Sequence, residues 1–135
     1  MNVRKYMKFA EIYASQSYCK RKQVGCVITK EGRIISSGYN GTLMGQPNKC
    51  EDSKGETLNT VIHAEANAIM FAAKSWASIK DTTLICTLSP CIECAKLIAG
   101  SGIIRVIFRT AHSKQDGVEF LKKIGIQVEQ LKEES

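Results

Sequence analysis

From residue 63 onward the chain switches repeatedly between two hydrophobic periods, and that alternation restricts its possible folds more than any other feature. A helical pattern from about His63 to Lys74, carrying Ala64, Ala68, Phe71 and Ala72, gives way to a short apolar strand at Thr82–Thr87. Cys91–Ala99 reads as a second helix, stopped by Gly100 and Gly102. Ile103–Phe108 is the next strand, Lys114–Ile124 a further helix with Val118 and Leu121 inward, and Ile126–Leu131 a last strand. Upstream, Val3, Tyr6, Met7, Ala10, Tyr13 and Ala14 recur at helical spacing, and Val24–Thr29 and Ile34–Tyr39 flank turn chemistry at Lys30-Glu31-Gly32-Arg33 as a hairpin would. The expected order α-β-β-α-β-α-β-α-β implies one five-stranded mixed sheet covered by helices, a three-layer α/β/α sandwich. A polar stretch from Asn40 to about Thr60 lacks periodicity and reads as a long loop of the kind that often carries function.

Length and composition fit a single domain over residues 1–135. No stretch has the roughly 18 consecutive apolar residues of a membrane span. The start, Met1-Asn2-Val3-Arg4-Lys5, lacks the apolar core of a secretion signal, so a cytoplasmic location and no membrane partner are expected. Six cysteines without an export signal favour reduced thiols or metal ligands over a disulfide framework. A net charge of +6 points to an anionic partner, either a phosphate-bearing small molecule or a nucleic acid, although solvated lysines alone give the same sign.

Two short motifs carry the chemistry: His63-Ala64-Glu65 and Pro90-Cys91-Ile92-Glu93-Cys94. Their pairing is a recognised signature of zinc deaminases. One neutral imidazole (His63) and two thiolates (Cys91, Cys94) nearly neutralise Zn²⁺ and leave a fourth position for water, the open arrangement of a catalytic site. Cys91 and Cys94 are three apart, on one face of a first helical turn, where the unpaired N–H groups and the macrodipole favour thiolates. Glu65 would sit over the open position as the proton shuttle, with attack at C4 of a cytosine ring and loss of ammonia. Alternatives stand beside this reading. An isolated Cys-x-x-Cys also serves redox and structural zinc sites, and Cys19, Cys26, Cys50 or Cys86 could close a structural site as a fourth ligand. Cys26 and Cys86 fall in expected buried strands, where a thiol behaves as a small hydrophobe.

With Val24-Gly25-Cys26-Val27-Ile28, Gly38-Tyr39-Asn40-Gly41-Thr42 and Thr87-Leu88-Ser89-Pro90-Cys91-Ile92-Glu93-Cys94-Ala95-Lys96, the chain resembles the cytidine deaminase-like superfamily and, within it, the deoxycytidylate (dCMP) deaminases. The resemblance runs from the first helix to the final strand. It implies a cytidine deaminase-like fold and conversion of dCMP to dUMP and ammonia. It also implies zinc on His63, Cys91 and Cys94, with Glu65 as proton shuttle. Asn40 would hold the sugar hydroxyl, the main chain at Ala64 and Ser89 would read the pyrimidine, and Arg21 and Lys22, with Lys20 beside them, would grip the 5′-phosphate. It further implies a hexamer activated by dCTP and inhibited by dTTP, with Mg²⁺ on the triphosphate. Gly38, Asn40, Gly41, Asn48, Cys50 and Asp52 are its candidate effector contacts. The two histidines of the chain do not permit the histidine-rich accessory zinc site of some relatives.

Other functions use related parts. A tRNA-editing or single-strand deaminase needs a basic stripe with stacking aromatics, and aromatics make up only 7% of this chain, mostly at core-like spacings. No nucleic acid is therefore expected. A zinc-stabilised binding module has no use for Glu65.

Overall fold

The computed structural model describes residues 2–132. Four helices and five strands follow the expected order: α1 Val3–Ser15, β1 Gly25–Lys30, β2 Arg33–Tyr39, α2 Ala64–Lys74, β3 Thr83–Leu88, α3 Ile92–Gly100, β4 Arg105–Thr110, α4 Asp116–Lys123 and β5 Gln127–Gln130. The strands form one mixed sheet in the order β2-β1-β3-β4-β5. β1 is antiparallel to both β2 and β3, whereas β3, β4 and β5 run parallel.

Two apolar clusters fill the two faces of this sheet. Cys26, Ile28, Leu84, Cys86 and Val106 face α2, α3 and α4, burying Ala68, Ala72, Ala95, Ile98 and Leu121. Val27, Ile85 and Ile107 face the other way, onto Met7 and Ala10 of α1. Coverage on both sides explains why β1 reads as an unbroken apolar run instead of alternating. Two glycines let the helices come close. A Cβ on Gly25 would stand 2.1 Å from the Ala10 carbonyl oxygen of α1, and one on Gly38 would stand 2.4 Å from the Ala64 carbonyl oxygen of α2. Among the described residues no helix is long and apolar enough to cross a membrane.

The sulfur chemistry requires a correction. Cys19 and Cys50 form a disulfide, both 2% exposed, whereas the cysteines were expected as reduced thiols or metal ligands. The composition argument concerned the chain as a whole, while this bond depends on where the long loop returns. The loop itself is tied by isolated bridges, Gly41 to Ile62 and Glu51 to Thr57. Cys26, Cys86, Cys91 and Cys94 are free, and Cys26 and Cys86 lie fully buried opposite one another in the sheet, as small hydrophobes do.

Candidate active site

The three sulfur and nitrogen donors of the two motifs meet at the N-termini of α2 and α3. His63 is the N-cap of α2 with extended backbone (φ −68°, ψ 155°), and its side chain caps nothing, which leaves the imidazole free to turn outward. Cys91 is the N-cap of α3, and its Sγ accepts from the Cys94 N–H. His63 Nδ1 lies 3.5 Å from Cys91 Sγ and 3.4 Å from Cys94 Sγ, and all three donor atoms fall within 4.8 Å of one another. Zn–N and Zn–S bonds of about 2.05 and 2.3 Å in a tetrahedron put such donors about 3.5 Å apart. The donor set and its spacing fit zinc, and among the described residues this cluster offers three protein ligands.

The electrostatics are those of a cation site. Hydrogen bonds with Cys94 and His63 pull the Cys91 thiol down to about 3, with burial opposing. The Cys91 hydrogen bond raises His63. Cys94 is pushed up by its hydrogen bond to Cys91 and by burial. Two thiols this close do not both ionise readily on their own, and a cation between them would favour both thiolates. Glu65, in the first turn of α2, is only 4% exposed, and burial raises its carboxyl despite opposing hydrogen bonds from its own backbone and from Cys94. A carboxyl held above its ordinary range can carry a proton nearer neutral pH, as a shuttle must.

A cavity of about 220 Å³ opens from this cluster. His63, Glu65 and Cys91 line it, and so do Asn40, Ala64, Ser89, Arg21 and Lys22 of the residues nominated for substrate, whereas Lys20 does not. Ala64 opens α2, so its N–H has no acceptor within the helix. Asn40 is partly engaged already. Its Oδ1 accepts from Val24 N at 2.9 Å and its Nδ2 donates to the Lys22 carbonyl at 2.8 Å, which leaves one donor and one acceptor of the amide. The same amide therefore fastens the Lys22 segment to the end of β2.

The proposed effector set divides. Asn48, Cys50 and Asp52 line a second hollow with Tyr18, Lys20 and Arg21, the Cys50 sulfur being bonded to Cys19. Gly38 and Gly41 are not among the lining residues of either cavity; Gly38 lies against the α2 backbone and Gly41 against the Tyr18 ring. Arg21 borders both cavities, and its N–H, like that of Lys20, donates to Glu51 Oε2 at 3.1 Å.

Sequence reasoning missed His112, Thr57 and Val61, all of which line the first cavity. His112 lies just past the C-terminal end of β4, beside β3, whose own C-terminal end leads into Ser89-Pro90-Cys91. Ligands of parallel sheets bind beyond the carboxyl ends of strands, and that rule was the available signal.

Comparison with known proteins agrees with this geometry. The family described as the cytidine and deoxycytidylate deaminase zinc-binding region matches residues 1–110. The deoxycytidylate deaminase of Saccharomyces cerevisiae is 35% identical over 136 residues, covering 93% of this chain and 43% of that protein. The deoxycytidylate deaminase of Enterobacteria phage T4 is 33% identical over 165 residues, covering 90% of this chain and 86% of that protein. The chain thus spans under half of the yeast relative and most of the phage one. A crystal structure of the dCMP deaminase from the cyanophage S-TIM5, in complex with dCMP and dUMP, matches with a TM-score of 0.92 and 42% identity over 95% of each chain.

Proposed function

Since the chain belongs to the deoxycytidylate deaminases of the cytidine and deoxycytidylate deaminase zinc-binding family, we propose that it hydrolyses free dCMP to dUMP and ammonia at a zinc site held by His63, Cys91 and Cys94. The observation that carries this reading is the meeting of the three donors at a cavity that Arg21 and Lys22 also line. Zinc, when bound, supplies acidity that makes a water molecule a competent nucleophile near pH 7. Glu65 accepts the two protons of the attacking water in turn, handing the first to ring N3 on attack and the second, from the new C4 hydroxyl, to the departing amine. The unpaired N–H of Ala64 and the main chain at Ser89 orient the pyrimidine, and the remaining amide capacity of Asn40 holds the sugar hydroxyl. Arg21 and Lys22 hold the 5′-phosphate, a guanidinium fork and an ammonium against one dianion.

Two finer parts of the proposal rest on the family. The second hollow, with Asn48 and Asp52, takes dCTP as activator and dTTP as inhibitor, with Mg²⁺ on the triphosphate; its basic Lys20 and Arg21 support this. The chain assembles as a hexamer, which the exposed apolar side chains Met70 and Phe71 on α2 and Leu97 on α3 support.

Ammonia release across dCMP, CMP, deoxycytidine, dCTP and an adenosine-bearing tRNA loop, with and without added dCTP, tests the substrate. The expected result is fastest release from dCMP, stimulated by dCTP, with one zinc per chain by metal analysis. Reaction with the RNA alone would overturn the nucleotide assignment and leave the metal chemistry standing.

A further inference from the structure

We infer that His112 is a specificity-determining residue, its Nε2–H and the Lys22 ammonium together forming a socket for one oxygen of the 5′-phosphate. This rests on the nucleotide reading above and adds to it a residue from the far end of the chain. Lys114 N donates to His112 Nδ1 at 3.0 Å, so the ring proton sits on Nε2. Nε2 in turn lies 3.4 Å from Lys22 Nζ, which is a donor only. Two donors therefore face each other where both residues line the substrate cavity. Reversing the tautomer would only move the clash to Lys114, because a neutral imidazole has one accepting nitrogen. An anionic oxygen between the pair accepts from both and removes the mismatch, as a charge-assisted hydrogen bond does.

The backbone that carries the imidazole is also held in place. His112 N donates to Ser89 Oγ at 2.7 Å, and Gln115 Nε2 donates to the His112 carbonyl. Ser89 is two residues from Cys91, so the socket is fixed relative to the metal ligands, and a phosphate seated in it sets how far the ring reaches. A nucleoside, which has no phosphate, leaves the donor pair unmatched.

The test compares kcat/KM for dCMP and deoxycytidine in the zinc-loaded wild type, His112→Ala and His112→Gln, with calorimetric binding of dUMP and deoxyuridine alongside. For His112→Ala, dCMP is expected to lose about tenfold more than deoxycytidine, mostly through KM, and dUMP to weaken about tenfold more than deoxyuridine. His112→Gln, which keeps an N–H donor, should recover most of the difference. Equal losses on nucleotide and nucleoside, or no loss on either, would overturn the inference even where the wild type prefers dCMP. A wild type that does not prefer dCMP to deoxycytidine would instead sink the nucleotide reading, and the socket with it.

Discussion

Glu65 is a buried acid beside the donors His63, Cys91 and Cys94. Burial raises its carboxyl, so the metal-free folded chain holds this proton to higher pH than the unfolded chain does. The associated stability is present below the ordinary carboxylate range and is lost as pH rises through the raised value. Glu65→Gln is expected to abolish turnover, keep zinc, and stabilise the metal-free chain by roughly 1–3 kcal/mol at pH 7, with little gain at pH 4. Urea denaturation of both chains across that pH range, after chelation, checks the sign; a gain that shrinks with rising pH would refute it. Asn40→Ala should act differently. It leaves the Val24 N–H unpaired, a loss of about 1–3 kcal/mol, and it should raise KM for deoxycytidine, whose sugar it holds, with a further loss on dCMP because the Lys22 segment is released. Steady-state kinetics on the two substrates separate this from the phosphate-specific effect argued for His112. That His63, Cys91 and Cys94 would meet was legible because their two motifs match a recognised pattern and each motif opens a helix. His112 was not, because its role depends on which strand lies beside β3, and a single histidine after a strand carries no periodic signal.

The elements were largely legible because their hydrophobic periods differ, and their boundaries moved by a residue or two where caps intervene. His63 and Cys91, expected as first helical residues, stand just outside their helices as N-caps. The crossovers from β3 through α3 to β4, and from β4 through α4 to β5, put both helices on one face and leave the opposite face to α1. The long loop was read as irregular because isolated bridges and a sulfur–sulfur bond leave no periodic trace. Helix α2 presses so closely on Gly38 that a Cβ there would meet the Ala64 carbonyl oxygen and the Ala68 nitrogen, at 2.4 and 2.7 Å. Gly38→Ala is therefore expected to destabilise the fold by about 1–3 kcal/mol and, because α2 carries His63, to weaken zinc severalfold. Denaturant melts and competitive zinc titration measure both; unchanged zinc affinity would separate helix packing from the metal site.

At the scale of the whole molecule, the Cys19–Cys50 disulfide closes a separation of 31 residues and anchors the long loop to the segment after α1. Its reduction is expected to lower stability by about 2–4 kcal/mol, and a reductant should shift the thermal midpoint of the wild type but not that of Cys19→Ser. Thiol counting on the denatured, metal-free, unreduced chain should find four reactive sulfurs out of six. Arg21 is the other long-distance tie, since it belongs to the walls of two separate chambers. Whatever an occupant of the outer chamber does to the pose of that side chain is felt in the inner one. Thermodynamic reciprocity then makes the influence mutual, so that each occupant alters the other's binding by the same factor.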